Sequence, residues 1–404
     1  MKKKLLMVLT ASFLVLTACA PNFGEQEEIV QETEDESKEQ AIIPKYNISD
    51  SYYKMILPFK QGEARGLVAE QLNTRLDIDE FETGLMRVAQ ESFSPDNYLY
   101  QEGQYLKGED ISSWLQRKKV GNELKEAQEA AKSQDKNTTG ADEKYVEVGL
   151  NPALPEADGQ SLTELHSKYP IYLSHILEHD YLIRKDDTVE LGGVVIGLAM
   201  NSVHYYQEEH GYPREHEIST EELLAQGKQM AEIILKRVRS TKGLEKVPIV
   251  FAIYEQEKKS SIVPGNFVAK TTVKEGSNSL EKWEDIDEDY YFFPSDEATN
   301  DYRDDAQMFN RFKQDVEEFF PNYTGVIGKA FYKNGELNYL DIEIPMQFYG
   351  KAEVIAFTQF VTGKVMEYFP DYISLEVNVM STTGQEAVII KEPNQEEPTV
   401  HIYK

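Results

Sequence analysis

The sequence predicts an α+β protein with two related strand-helix-strand (ββαββ-like) units, mainly antiparallel sheets, and an N-terminal mixed α/β segment. Three observations predict it. Apolar residues alternate in two stretches that match at an offset of 146: Glu190/Glu336, Leu191/Leu337, Val194/Leu340, Ile196/Ile342, Leu198/Ile344 and Met200/Met346. Alternation of this kind marks one face of a strand. Turn formers precede both stretches, Lys185-Asp186-Asp187 and Lys333-Asn334-Gly335, and Asn-Gly is a strong hairpin signal. An amphipathic helix and further strands follow each. A helix laid on a mainly antiparallel sheet is an α+β layer.

The elements follow in order. Lys2, Lys3 and Lys4 precede an apolar run of 13 residues, Leu5 to Thr17. That run is short of the roughly 20 residues a spanning helix needs and fits a secretory leader. It closes on Leu16-Thr17-Ala18-Cys19, the pattern of a bacterial lipobox, and Cys19 is the single cysteine. The predicted cut falls between Ala18 and Cys19, with the Cys19 thiol carrying S-diacylglycerol and an N-acyl group available to the new terminus. Two acyl chains hold a soluble body at a bilayer where one is marginal. No later segment has 18 consecutive apolar residues, so the expected state is anchored to the outer face of the cell membrane, not spanning it. Residues 19–43, rich in Glu25, Glu27, Glu28, Glu32, Glu34, Asp35, Glu36 and Glu39, read as a disordered acidic tether. Extended, such a tether reaches roughly 80 Å.

The body follows. Residues 44–118 form the mixed α/β segment, with a strand ended by Pro58 and helical spacing at Leu85, Val88 and Ala89. Residues 119–143 read as a low-complexity linker or loose charged helix. A helix is expected over 161–182. The first repeat unit spans 175–275, with a capping box at Ser219 and Glu222 and a stripe of Leu223, Gly227, Met230, Ile234 and Val238. An acidic aromatic connector spans 276–320. The second unit spans 321–392, its helical stripe being Val354, Phe357, Val361, Val365 and Tyr368, and a tail covers 393–404. Ile249, Phe251 and Ile253 match Ile373, Leu375 and Val377 at an offset of 124, which assigns longer loops to the first unit, chiefly QEEHGYPREHEIS.

Composition narrows function. A formal charge of −29 disfavours a nucleic-acid partner, which needs a basic stripe. The same charge repels anionic lipid, leaving attachment to the lipid on Cys19. Phosphate-loop, dinucleotide and G-x-S-x-G strings are absent, and no cofactor is predicted. His175-Ile176-Leu177-Glu178-His179 spells H-x-x-E-H, in which His175 and His179 one helical turn apart would ligate zinc with Glu178 as base. That reading makes the chain an envelope metallopeptidase and requires a third ligand, a glutamate on a later helix. The string equally fits an amphipathic helix with exposed or hydrogen-bonded imidazoles. Asp285, Asp287 and Asp289 alternate like half a calcium loop, but Tyr290 replaces the required glycine and Asp296 the final glutamate. The clusters Tyr98, Tyr100, Tyr105 and Tyr290, Tyr291, Phe292, Phe293 suit a peptide or envelope-polymer surface, or ordinary packing. A two-lobed solute-binding fold matches two ββαββ copies poorly.

Three stretches behind the lipobox, RLDIDEFETGLMRVAQESFSPDNYLYQEGQYLKGEDISSWLQRK, YYFFPSDEATNDYRDD and DIEIPMQFYGKAEVIAFTQFV, resemble the CamS family of Gram-positive sex-pheromone-precursor lipoproteins. The resemblance spans nearly the whole mature chain. It implies two related repeats in the body, and a short hydrophobic peptide released from the leader, here around Ser12 to Ala18 (SFLVLTA). It lends no catalytic residues to the body.

Overall fold

Alternating and continuous apolar runs sort this chain into two main sheets and a small hairpin. The structure, a computed structural model, describes residues 27–32, 38–46, 48–49, 52–134, 148–186, 188–319 and 325–404. The leader, the cleavage site at Ala18 and Cys19 itself lie outside the described residues, as do residues 135–147 of the expected linker.

The N-terminal region contains β1 (Glu27–Glu32), β2 (Lys38–Ile43), β3 (Lys54–Met55), α1 (Leu67–Gln71), α2 (Arg75–Ala89), β4 (Tyr98–Glu102), α3 (Gly108–Trp114), α4 (Gly121–Gln134) and α5 (Leu162–Lys168). The first repeat follows as β5 (Leu173–Lys185), β6 (Thr188–Asn201), β7 (Val203–Gln207), β8 (Pro213–Glu217), α6 (Thr220–Val238), β9 (Ile249–Gln256) and β10 (Asn266–Val273). Next come β11 (Glu284–Asp285), β12 (Glu288–Phe293), α7 (Asp296–Asp301) and α8 (Arg303–Phe319). The second repeat is β13 (Ile327–Lys333), β14 (Glu336–Pro345), α9 (Lys351–Tyr368), β15 (Ser374–Ser381) and β16 (Gly384–Lys391), with β17 (Thr399–Ile402) after it.

Both repeats have one topology. The first sheet runs β11-β10-β9-β6-β5-β4-β3, with β1 and β2 attached at β6; the second runs β12-β13-β14-β15-β16-β17. In each repeat an antiparallel hairpin leads through a helix to a strand parallel to its second arm, and a further antiparallel strand closes the unit. The tight turns place Asp186 and Asn334 at the same positive φ of 54°. Each hairpin also carries one extra residue in its second arm, since Tyr181/Leu182 face Gly193/Leu191 and Phe331/Tyr332 face Tyr339/Leu337. Those bulges at Gly192 and Asn338 agree with the offset of 146. The later strands need a correction: Val194 pairs with Ile249 while Leu340 pairs with Leu375. Ile249 is therefore equivalent to Leu375 rather than Ile373. A two-residue slip preserves the face of every side chain, which is why apolar pattern alone could not detect it.

The units differ in layering. In the first, α2 packs Phe81 and Leu85 on one sheet face beside Val195, Ala199 and Val250. On the other face α6 packs Met230, Ile234 and Val238 against Val194, Ile196 and Phe251. A sheet covered on both sides needs nearly continuous apolar strands, and β6 supplies LGGVVIGLAM. In the second unit α8 and α9 bury Phe309, Phe312, Phe357 and Val361 against one face, and β15 alternates buried with half-buried residues. The α2 helix starts where the Thr74 hydroxyl accepts from the Asp77 amide at 3.0 Å, and α6 where Ser219 accepts from the Glu222 amide. The α2 helix also meets the second sheet. Arg87 of α2 reaches Glu288 of β12 across 201 positions, and Tyr290 of β12 donates to Glu80 of α2 at 2.6 Å.

Several expected elements are corrected. The helix over 161–182 ends at Lys168, before Pro170, and the rest is the long strand β5. The tether 19–43 contains β1 and β2, because Ile42 and Leu57 exchange backbone hydrogen bonds and Ile43 is buried with Ile56, Leu99 and Leu182. The connector 276–320 is built structure, with Phe293, Ala298, Phe309 and Val316 in the second core. The long loop QEEHGYPREHEIS belongs to the β7–β8 hairpin. No helix among the described residues is long and apolar enough to cross a membrane.

Candidate functional site

At one edge of the first sheet, β4 stops while β5 continues. Glu102, the last residue of β4, faces His179, and β5 extends back to Leu173 without that neighbour. Residues 103–106 fold over the gap. The Gly103 amide donates to the Glu178 carbonyl at 3.1 Å, and the Leu106 and Tyr105 amides donate to the Glu178 carboxylate at 2.7 and 3.2 Å. Only glycine permits this approach, because a Cβ on Gly103 would stand 2.5 Å from Glu178 Cβ. Beside this fold, α1, α2 and the segment 59–68 border a partly open cavity of about 240 Å³. Met55, Phe59, Val68, Met86 and Leu177 supply apolar wall, and Arg65, Glu82, Glu102, His175 and His179 the polar positions. Arg65 pairs with Glu102 at 3.4 Å and lies over the Phe59 ring at 5.1 Å. Glu102 also accepts from the Gly62 amide at 2.6 Å. The Glu82 carboxylate has no hydrogen bond or ion pair among the described residues. Burial, then the like charges of Glu102 and Asp79, hold its carboxyl above the ordinary range.

The H-x-x-E-H residues line this cavity, but on a strand. Alternation puts His175 and His179 on the α2 side and Glu178 on the opposite side. Two imidazoles four strand residues apart are separated by roughly 13 Å at their backbones, against about 6 Å on a helix. One metal ion does not bridge that span. Among the described residues no group of three His, Cys, Asp or Glu side chains could hold a metal ion. The helical zinc site is therefore corrected to two separate core histidines. His175 packs against Phe81, and His179 stands edge-on to Tyr100 with ring centres 5.0 Å apart. Burial lowers their pKa values to about 4 and about 3, so both are neutral at pH 7. The Nδ1 atom of each is buried with no partner among the described residues. On the opposite side, Glu178 holds the loop amides, and Asp180 accepts from the Gln104 amide at 3.0 Å. Burial, then the Glu178 charge, pushes the Asp180 carboxyl far upward.

The aspartates of the calcium-like string do not converge: Asp285 ends β11, Asp289 lies in β12, and the Asp287 carbonyl accepts from Asn334. The tyrosine clusters pack. Tyr100 is buried near Tyr181, Tyr291 donates to Asp301 at 3.0 Å, and Phe293 stacks on Phe309. The residues that give the cavity its polar character, Arg65 and Glu82, carry no motif. The only signal was the acidic helix sequence around Phe81, whose polar face could not be assigned to water or to a cavity.

The fold defines a duplicated α+β protein, two ββαββ units of equal strand order joined through α2 and β12, with a partly open cavity in the first. The chain belongs to the CamS family: the family model described as CamS sex pheromone cAM373 precursor matches residues 59–397. The crystal structure of a sex pheromone precursor from Lactobacillus salivarius is similar at TM-score 0.75 and 29% identity, covering 89% of this chain and 98% of that one. The C-terminal domain of the sex pheromone staph-cAM373 precursor from Staphylococcus aureus is similar at TM-score 0.69 and 33% identity, covering 83% and 99%. No curated protein gives a significant match.

Proposed function

We propose that this chain is a lipoprotein on the extracytoplasmic face of the cell membrane, anchored by diacylglycerol on Cys19. Its cleaved leader is the source of a short hydrophobic peptide ending near Ala18, and its body is a binding module for a peptide or envelope-polymer ligand. The observation that carries the reading is the lipobox Leu16-Thr17-Ala18-Cys19 at the head of a chain of the pheromone-precursor family. The cavity at the edge of β5 supports the binding role, since a concave, mainly apolar space with a small number of polar groups is the usual form of a ligand site. Mass spectrometry of the native N-terminus and of the culture fluid tests the proposal. The expected result is an acylated cysteine at the mature terminus and a released peptide drawn from residues 12–18. An unmodified N-terminus upstream of Cys19 would refute it.

A further inference from the structure

We propose that the cavity between α2 and β5 binds an organic ammonium group carried on a short apolar chain, with Glu82 as its counter-ion. The inference rests on the reading of the body as a binding module and adds the ligand's chemistry. Met55, Met86, Val68 and Leu177 give the wall, beside Phe59 and Tyr100, a flexible aliphatic part that fits an unbranched or aliphatic chain. The cavity is below the roughly 300–1,000 Å³ of pockets for drug-sized ligands, so the chain is short.

The charge balance selects the head group. Arg65, the cation lining the cavity, is committed to Glu102 and stacked on Phe59. Glu102 has the Gly62 amide as a further partner. Glu82 has neither as a direct partner, stands half-buried on α2, and feels the like charges of Glu102 and Asp79 ahead of the weaker opposing charges of Arg75 and Arg65. The two histidines in the wall do not offset it, because burial keeps them neutral. A carboxylate left partly dry among other acids gains most from a cation that arrives with the ligand. A carboxylate or phosphate ligand would meet repulsion in the same place. A free alkylamine and the amino terminus of a short apolar peptide present the same chemistry.

Isothermal titration of the full mature chain at pH 7.5 tests this with hexylamine, 1-hexanol, hexanoate, and Phe-Leu amide with a free or acetylated N-terminus. The expected result is that one of the free amines binds at least about tenfold more tightly than its uncharged counterpart, the worth of one hydrogen bond to a charged group. Preference for hexylamine identifies a simple amine; preference for the dipeptide, lost on acetylation, identifies a peptide terminus. Glu82→Gln should abolish the preference and keep the thermal midpoint, while Met86→Trp, which fills the cavity, should abolish binding of every probe. Equal binding of charged and uncharged probes, or a preference that survives Glu82→Gln, overturns the ammonium assignment and leaves the binding reading standing. No binding of any probe to the unmodified chain overturns both.

Discussion

Replacing Arg87 by methionine should loosen the joint between the two units. Arg87 donates from Nη2 to Glu80 at 2.5 Å and to Glu288 at 2.7 Å, and from Nε to Glu288 at 3.0 Å. Its guanidinium lies 4.5 Å from the centre of the Phe331 ring. The two carboxylates it holds are only 8% and 2% exposed. Methionine keeps most of the volume but leaves both acids buried without their main cation. Removing one partner of a buried ion pair costs about 3–5 kcal/mol. Lys333, 3.8 Å from Glu288, remains and places the loss near the lower end, about 3 kcal/mol. The pH dependence has a definite sign. Burial already holds the Glu80 carboxyl above its ordinary value, with Arg87 opposing. Without Arg87 the Glu80 carboxyl moves further up, so the folded variant binds a proton that the unfolded chain has released. The deficit should be smaller near pH 5 than near pH 8, with a slope no steeper than about 1.4 kcal/mol per pH unit for the one carboxyl. Urea unfolding of the full chain reads this directly. Trp114 and Trp283 both pack with the first core, so their fluorescence follows that unit while far-ultraviolet circular dichroism follows both. The transitions should separate in the variant. A loss below about 1 kcal/mol at pH 7.5, typical of an exposed pair, or a deficit that shrinks as pH rises, would refute the buried joint.

Further outcomes follow from the same geometry. His175 and His179 ionise near 6.5 when unfolded but at about 4 and about 3 when folded, so the unfolded chain takes up protons first. Stability should fall as pH drops from 6.5 towards 4, by about 1.4 kcal/mol per unit for each histidine; the acid limb of His179→Phe should be visibly shallower, and an unchanged slope would count against neutral burial. Gly265→Ala should cost about 1–3 kcal/mol or more in urea unfolding, because its Cβ would stand 1.9 Å from the Glu255 carbonyl oxygen. Gly363→Ala, with open space around it inside α9, is the control and should cause no loss. Phe357→Ala should cost about 3–5 kcal/mol, since Phe357 is fully buried between α9 and the second sheet.

Much of the second unit was legible because its sheet is covered on one side only. Leu337, Leu340, Ile342 and Ile344 alternate with half-buried or exposed residues, apart from the single break at the Asn338 bulge, so strand, face and helix partner all follow from spacing. The first unit is harder to read. Its β5 strand is buried on both faces, and LSHILEHDYLIRK lacks the alternation that would separate it from a helix. The H-x-x-E-H string sat inside that ambiguity, and assigning a helix created a zinc site that a strand pulls apart. Acidic composition misled in a second way. Glu28, Glu32 and Glu39 argued for solvent, but edge strands tolerate charge, and the Ile42–Ile43 pair docks the segment through backbone pairing and one buried side chain. The cavity could not be read at all, because it arises where β4 stops short of β5, a fact of strand length in three dimensions. Glu82 lies on the same helix as Phe81, and only the placement of the segment 59–68 over that helix separates a solvated acid from one that lines a pocket.

Membrane fractionation of a Gram-positive host expressing the unmodified chain and Cys19→Ser is the most direct test of the anchor. The unmodified chain should pellet with membranes and partition into detergent, and the serine variant should move to the soluble or culture-fluid fraction. A serine variant that stays in the membrane pellet would contradict attachment through the Cys19 sulfur.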